Sequence, residues 1–273
     1  MKKVKGQNLE EKRRFQKKLT DEFNKKIFKT KKELTSIISH ELRTPLSVIS
    51  WYAKMLLLGD AGKLNSKEKL YLTEIYKGDE RAMSLANDLI DAFRLELGTM
   101  EIDIKPTDAE KCAKEAVDEI KGQIKRRHLK FTERYDKRLP LLNIDPRLLR
   151  TIFQNLLSNA IKFTPKGGDV SIDLRLVGRG QALDRQKARK DNMAIIVKDT
   201  GCGIPKDQQK KIFTKIFRAD NAREKNIEGT GLGLFIVKEA LGYFGGKIWF
   251  KSKENKGTVF YAVLPLAKTT KKQ

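Results

Sequence analysis

The chain is 273 residues long, 39% hydrophobic and 34% charged, with a formal net charge of +23, so it can hold two domains that each bury a core beneath charge-rich helical surfaces. No stretch approaches the roughly eighteen consecutive apolar residues of a spanning helix, and no apolar run follows the basic start, which excludes a membrane span and a signal peptide within these residues and reads as a cytoplasmic protein. Cys112 and Cys202 are far apart without metal-ligand spacing, and the lysines never form a basic run interleaved with aromatics, so a disulfide framework, a zinc site and a nucleic-acid partner are not expected.

The first 34 residues carry thirteen Lys and Arg against five Asp and Glu; in a longer parent with an upstream sensor or membrane segment, they would lie beside anionic lipid. Phe15, Leu19, Phe23, Ile27 and Leu34 recur at spacings of four and seven, which predicts an amphipathic helix able to pair in a coiled coil over residues 1–33. The same phase continues through Ile38, Leu42, Pro45, Ile49, Ala53 and Leu56, extending one long helix to about Leu58. Gly59 to Asn65 supply a turn, and Ser66 is the expected N-cap. Tyr71, Ile75, Gly78, Ala82, Leu85, Leu89 and Ala92 then keep a heptad rhythm to Gly98. Residues 34–98 thus read as a helical hairpin. One hairpin cannot cover both stripes, so the expected solution is a four-helix bundle from two chains.

From Thr99 to the end at residue 273 the period changes. Alternating runs at Met100 to Ile104, Lys130 to Tyr135, Asp169 to Leu176, Ala194 to Lys198, Lys247 to Lys251 and Thr258 to Leu264 predict strands. Helical patterns fall at Asp108 to Ile124, Arg147 to Phe163 and Leu232 to Tyr243, with Pro146 at a first-turn position. The alternation predicts an α/β sandwich of mixed sheet and helices. Gly178 to Asn192 reads as an exposed loop and Arg218 to Glu228 as a mobile one.

His40 lies in Ser-His-Glu-Leu-Arg-Thr-Pro-Leu, roughly opposite the apolar seam. A lone exposed histidine is usually inert, but Glu41 beside it can hold the ring proton if the imidazole acts as a nucleophile. Pro45 removes one helical hydrogen bond, and Thr44 shares the histidine's face. Asn155, Asn159 and Lys162 recur at i, i+4 and i+7 on an otherwise apolar helix. They form either a polar solvent face or a set of hard oxygen ligands for Mg²⁺ with a phosphate-binding ammonium; aligned asparagines in a helix interior favour the second. Asp199-Thr-Gly-Cys-Gly-Ile-Pro ends a strand, where a carboxylate can accept the exocyclic amine of adenine and Gly201 and Gly203 admit the base. Gly229-Thr-Gly-Leu-Gly-Leu opens a helix whose amides can meet phosphate; lacking a preceding strand, it does not fit a Rossmann turn.

Taken in order, these segments resemble the HisKA-type sensor histidine kinases, whose catalytic domain is of the GHKL ATPase class. His40 to Leu46 is similar to the phosphoacceptor box, Asn155 to Phe163 to the asparagine box, and Asp199 to Pro205 to the first glycine box. Ile212 to Arg218 is similar to the phenylalanine box and Gly229 to Leu234 to the second glycine box. The resemblance implies a signalling helix, a dimeric bundle carrying His40, Glu41 and Thr44, and a GHKL sandwich using ATP and Mg²⁺. It further implies that Asn155 and Asn159 serve the metal, that Asp199 takes the adenine, that Gly231, Leu232 and Gly233 meet the phosphates, and that Lys162, Phe163, Gly201, Gly203, Ile204, Phe217, Arg218, Thr230, Leu234 and Thr258 complete the nucleotide-binding set. The implied partners are a second copy and a response-regulator receiver domain. Ile216 departs from the pattern, standing where a second aromatic is usual. Two rivals are a GHKL ATPase of the gyrase or chaperone kind, which would need a glutamate at position 155 to activate water, and a pseudokinase that only binds nucleotide.

Overall fold

The structure, a computed structural model, describes Thr30 and residues 41–180, 182–183, 186–187, 191–224, 227 and 229–266. The predicted coiled coil over residues 1–33 and His40 itself lie outside the described residues, apart from Thr30. The chain divides into two units between Met100 and Glu101.

In the first unit, helix α1 is continuous over residues 41–58, straight through Pro45. Helix α2 spans Ser66–Glu96. Its N-cap is Asn65 and not Ser66, because only Asn65 has a glutamate at the third helical position. The Asn65 side chain accepts from the amides of Lys67 and Glu68 while Glu68 Oε2 accepts from Asn65 N at 2.8 Å, a reciprocal box that Lys69 could not complete for Ser66. Gly98, at φ +62°, turns the chain out of the helix. Arg43 Nη2 donates to Asn87 Oδ1 at 3.1 Å, tying α1 to α2. Ala53 of α1 and Ala86, Ile90, Ala92 and Leu95 of α2 are buried. The predicted α2 stripe is only partly covered: Tyr71, Ile75 and Leu85 stay 62%, 50% and 45% exposed, and Leu42 and Ile49 on α1 are exposed as well.

In the second unit, strand β1 (Lys105–Thr107) pairs antiparallel with β3 (Leu142–Ile144). The strand expected at Met100 to Ile104 therefore begins later. The Asp145 carboxylate, not a neighbouring strand, accepts the Asp103 amide at 2.9 Å, and pairing starts only at Lys105 opposite Ile144. Five strands form the main sheet in the order β2-β4-β7-β9-β8, from Lys130–Tyr135, Asp169–Val177, Asn192–Asp199, Gly257–Pro265 and Lys247–Lys253; β2 and β4 are parallel and the other pairs antiparallel.

Helices α3 (Ala109–Arg126), α4 (Pro146–Phe163) and α6 (Gly233–Tyr243) pack together with α4 against the sheet. Asp145 caps α4 and Pro146 occupies its first turn. Leu149, Ile152, Phe153, Leu156, Leu157 and Ile161 of α4 are fully buried beside Ile172, Leu174, Met193 and Ile195, each contributing about 1.5–3 kcal/mol. That packing fixes the opposite, polar edge of α4.

Two expected loops hold structure. The 178–192 segment carries a small hairpin, β5 (Ala182–Leu183) with β6 (Gln186–Lys187), and buried Leu183 joins Val177, Ala194, Trp249 and Tyr261 in a second apolar cluster. The Arg218 to Glu228 segment carries a five-residue helix α5, Asp220–Glu224. No helix among the described residues is long and apolar enough to cross a membrane.

Candidate nucleotide site

Asp199 is the last residue of β7, opposite Thr258 on β9, which is in turn opposite Ser252 on β8. These three occupy the sheet face that further along carries Val197, Phe260 and Phe250, so a polar row interrupts an apolar face at its end. Asp199 is 5% exposed. Its Oδ1 accepts from Gly201 N at 2.8 Å and Thr258 N at 3.2 Å. Burial raises its carboxyl to about 6, against the lowering pull of those two amides.

The turn after Asp199 is fixed on every side. Cys202 N donates to Phe163 O at 3.2 Å, joining it to the end of α4. Gly203 sits at φ +64°, and a Cβ there would lie 2.2 Å from Lys253 O, so neither the backbone conformation nor the space admits another residue. Ile204 N donates to Ser252 Oγ at 2.9 Å, and Ser252 Oγ lies 2.8 Å from Thr258 Oγ1.

On α4, Asn155 Nδ2 donates to Thr151 O at 2.9 Å, which leaves Oδ1 as the atom of the amide not engaged by that bond. The first residue of α6 meets it: a Cβ on Gly233 would lie 2.3 Å from Asn155 Oδ1. Asn159, Lys162 and Phe163 follow at partly exposed positions of the same helix. Leu232 is fully buried before α6, and no side chain caps that helix; Thr230 Oγ1 accepts from Leu232 N at 3.2 Å. The first-turn amides of α6 therefore form an anion-receptive end, with Leu234 partly exposed in that turn. Gly231 lies against the backbone of Ile216 and Phe217, and Arg218 Nη2 donates to Ile227 O at 2.6 Å. Ile216, the departure from the aromatic pattern, is exposed at φ +57°, while Phe213 packs edge-on against Phe250.

The predicted residues of the second unit thus meet in one connected region. Glu41 and Thr44 stand exposed on α1 in the first unit. The sequence reading missed Ser252, Gln209 and Asn221. Ser252 carried a signal, being a polar residue at a core-facing position of β8; Gln209 bonds the carbonyls of Ile204 and Ser252 and Asn221 that of Gly203, contacts no local pattern announces. His128, with φ +52°, lies in the turn just beyond α3 and is exposed. Neither Cys112 nor Cys202 is in a disulfide.

Residues 30–98 match the His Kinase A (phospho-acceptor) domain, and residues 144–268 match the histidine kinase-, DNA gyrase B-, and HSP90-like ATPase family. The chain is 31% identical over 237 residues to the circadian input-output histidine kinase CikA of Synechococcus elongatus, covering 86% of this chain and 30% of that protein. It is 30% identical over 240 residues to the sensor histidine kinase WalK of Bacillus subtilis, covering 88% of this chain and 37% of that one. The chain therefore spans about a third of the length of these relatives. Among solved structures, full-length ShkA in complex with AMPPNP superposes with a TM-score of 0.69 at 26% identity, over 88% of this chain and 47% of that one. With a phospho-acceptor hairpin followed by a GHKL-class ATPase sandwich, the chain belongs to the HisKA-type sensor histidine kinases.

Proposed function

We propose that this chain is a histidine kinase core that binds ATP in the α/β unit, phosphorylates His40, and passes the phosphoryl group to an aspartate of a response-regulator receiver domain. The observation that carries the nucleotide half is the buried Asp199, whose Oδ1 is committed to two backbone amides. Its other oxygen is left to accept the adenine amine; guanine presents a carbonyl there and is refused. The uncapped start of α6 and Lys162 receive the phosphates. Asn155 fits a hard cation, because its amide nitrogen is already engaged with Thr151 O and its oxygen lies at the start of α6. Asn155 and Asn159 would hold Mg²⁺, which would supply charge neutralisation across the phosphates.

In the chemical step a neutral His40 ring nitrogen forms a bond to the γ-phosphorus as the bond to ADP oxygen breaks, and Glu41 takes the ring proton. Catalysis comes from positioning and charge neutralisation. An amide at position 155 cannot act as the water-activating base that a GHKL hydrolase needs, which favours transfer over hydrolysis. Residues 1–33 act as the signalling helix, 34–98 as the phosphotransfer domain and 99–273 as the catalytic domain. A second copy covers the exposed row of Leu42, Ile49, Tyr71, Ile75 and Leu85, completing a four-helix bundle. Thr44 positions a water for removing phosphate from the partner.

Incubation with γ-labelled ATP and Mg²⁺ tests this. Wild type takes up acid-labile, base-stable label, and His40→Gln loses it while still binding ATP. A wild type that binds ATP without acquiring such label contradicts the proposal.

A further inference from the structure

The peptide between Gly203 and Ile204 is pinned at both ends. Its N–H donates to Ser252 Oγ at 2.9 Å. Its C=O accepts from Asn221 Nδ2 at 3.0 Å, and Asn221 Nδ2 also reaches Cys202 O at 3.5 Å, beside the Asn255 amide at 2.7 Å. Gly203 cannot brace this plane itself, since it has no side chain and no room for one. Donors from elsewhere must therefore hold its soft dihedrals. Asn221 Oδ1 is buried without a hydrogen-bond partner, so the contribution of this amide is its donor, made at the cost of a desolvated acceptor.

Asn221 belongs to α5, which at five residues is too short to be stable alone. A separate tether anchors the helix: Gln208 Nε2 donates to Asp220 Oδ2 at 2.6 Å, and Asp220 N returns a bond to Gln208 Oε1 at 2.9 Å. Ala222 is buried, its carbonyl accepts from Ile227 N at 3.0 Å, and Ile227 O receives Arg218. The segment leading toward the second glycine box is thus linked through Asn221 to the turn beside Asp199.

We infer that Asn221 is a positioning residue for the nucleotide: its amide fixes the peptide planes around Gly203 and couples the order of α5 to occupancy of the purine pocket. The inference rests on Asp199 and its turn being the purine site. Losing the donor frees the turn and weakens nucleotide binding without touching the transferred phosphoryl group. The coupling is reciprocal, so bound nucleotide stabilises α5.

The test uses the full chain as wild type, Asn221→Ala, the nearly isosteric Asn221→Asp, and Gln208→Ala, which cuts the other tether of α5 and leaves the turn alone. ATP is the probe, with its dissociation constant, the KM and kcat of self-labelling, and the melting temperature of the empty protein as readouts. Asn221→Ala is expected to raise Kd and KM by about 3- to 10-fold with kcat within about twofold, and Asn221→Asp to bind at least as weakly. Gln208→Ala should change KM by less than about twofold. ATP should protect the amides of residues 220–224 from hydrogen exchange in wild type and not in Asn221→Ala. Unchanged affinity in both Asn221 variants overturns the inference, as does an equal loss in Gln208→Ala, which would assign the effect to α5 as a whole. A wild type that binds ATP but does not label itself overturns the kinase proposal alone; one that does not bind ATP overturns both.

Discussion

Replacing Asp199 by Asn should weaken the protein's grip on ATP and stabilise the empty fold at once. Burial raises this carboxyl from 3.8 to about 6. A carboxylate whose folded-state value is raised costs stability wherever it is ionised in the folded state. The cost is fully present above about pH 6 and is relieved as pH falls from 6 toward 3.8, where the folded state holds a proton that the unfolded chain has lost. A rise of that size corresponds to at most about 3 kcal/mol. Asn keeps an oxygen for the Gly201 and Thr258 amides and carries no charge, so at pH 8 the empty variant should melt higher by a few degrees, at most about 10 °C. The same change removes a charge-assisted acceptor for the adenine amine, worth about 1.5–3 kcal/mol, or a roughly 10- to 150-fold rise in Kd. Calorimetric titration and thermal melts on one preparation measure both signs. The wild-type Kd should also rise as pH drops below about 6, relative to the variant, which serves as baseline for the nucleotide's own protonation. A variant that binds ATP like wild type, or that melts lower at pH 8, refutes the assignment of Asp199 as a strained purine acceptor.

Asn159→Ala should abolish self-labelling by removing a metal oxygen ligand, and a wild-type labelling rate in saturating Mg²⁺ would rule that role out. Gly233→Ala pushes a methyl into Asn155 Oδ1. The Asn155 amide can swing aside, so the melting temperature should move little, but the displaced oxygen should cost about 100-fold in labelling rate; a variant at full activity would show that Asn155 has no part at the phosphates. Thr44→Ala should leave labelling of His40 intact and slow dephosphorylation of the response regulator by about tenfold or more, as followed by loss of label from the partner. If both activities fall together, Thr44 is structural.

The sheet and α4 were legible because their periods are set by burial. Lys130–Tyr135 appears at its predicted bounds, and the other main strands extend theirs by one to three residues. What escaped was held by partners distant in sequence. β3 has only three residues and exists because β1 lies beside it, and α5 exists because Gln208 and the glycine turn hold it. The shift of the α2 cap from Ser66 to Asn65 turned on a single glutamate three residues on. For the site, the boxes picked out residue types that are chemically unusual where they stand. The side chains that only orient the turn looked ordinary, because their partners are carbonyls.

The central claim is that ATP phosphorylates His40. The chain contains two histidines, His40 and His128, so peptide mapping at neutral to alkaline pH after incubation with ATP and Mg²⁺ gives a two-way answer. The account predicts one phosphoryl group on the peptide containing His40, none on the peptide containing His128, and a reduced initial rate of His40 modification in Asp199→Asn at an ATP concentration near the wild-type Kd. Phosphate on His128, or on neither histidine while ATP is bound, contradicts it.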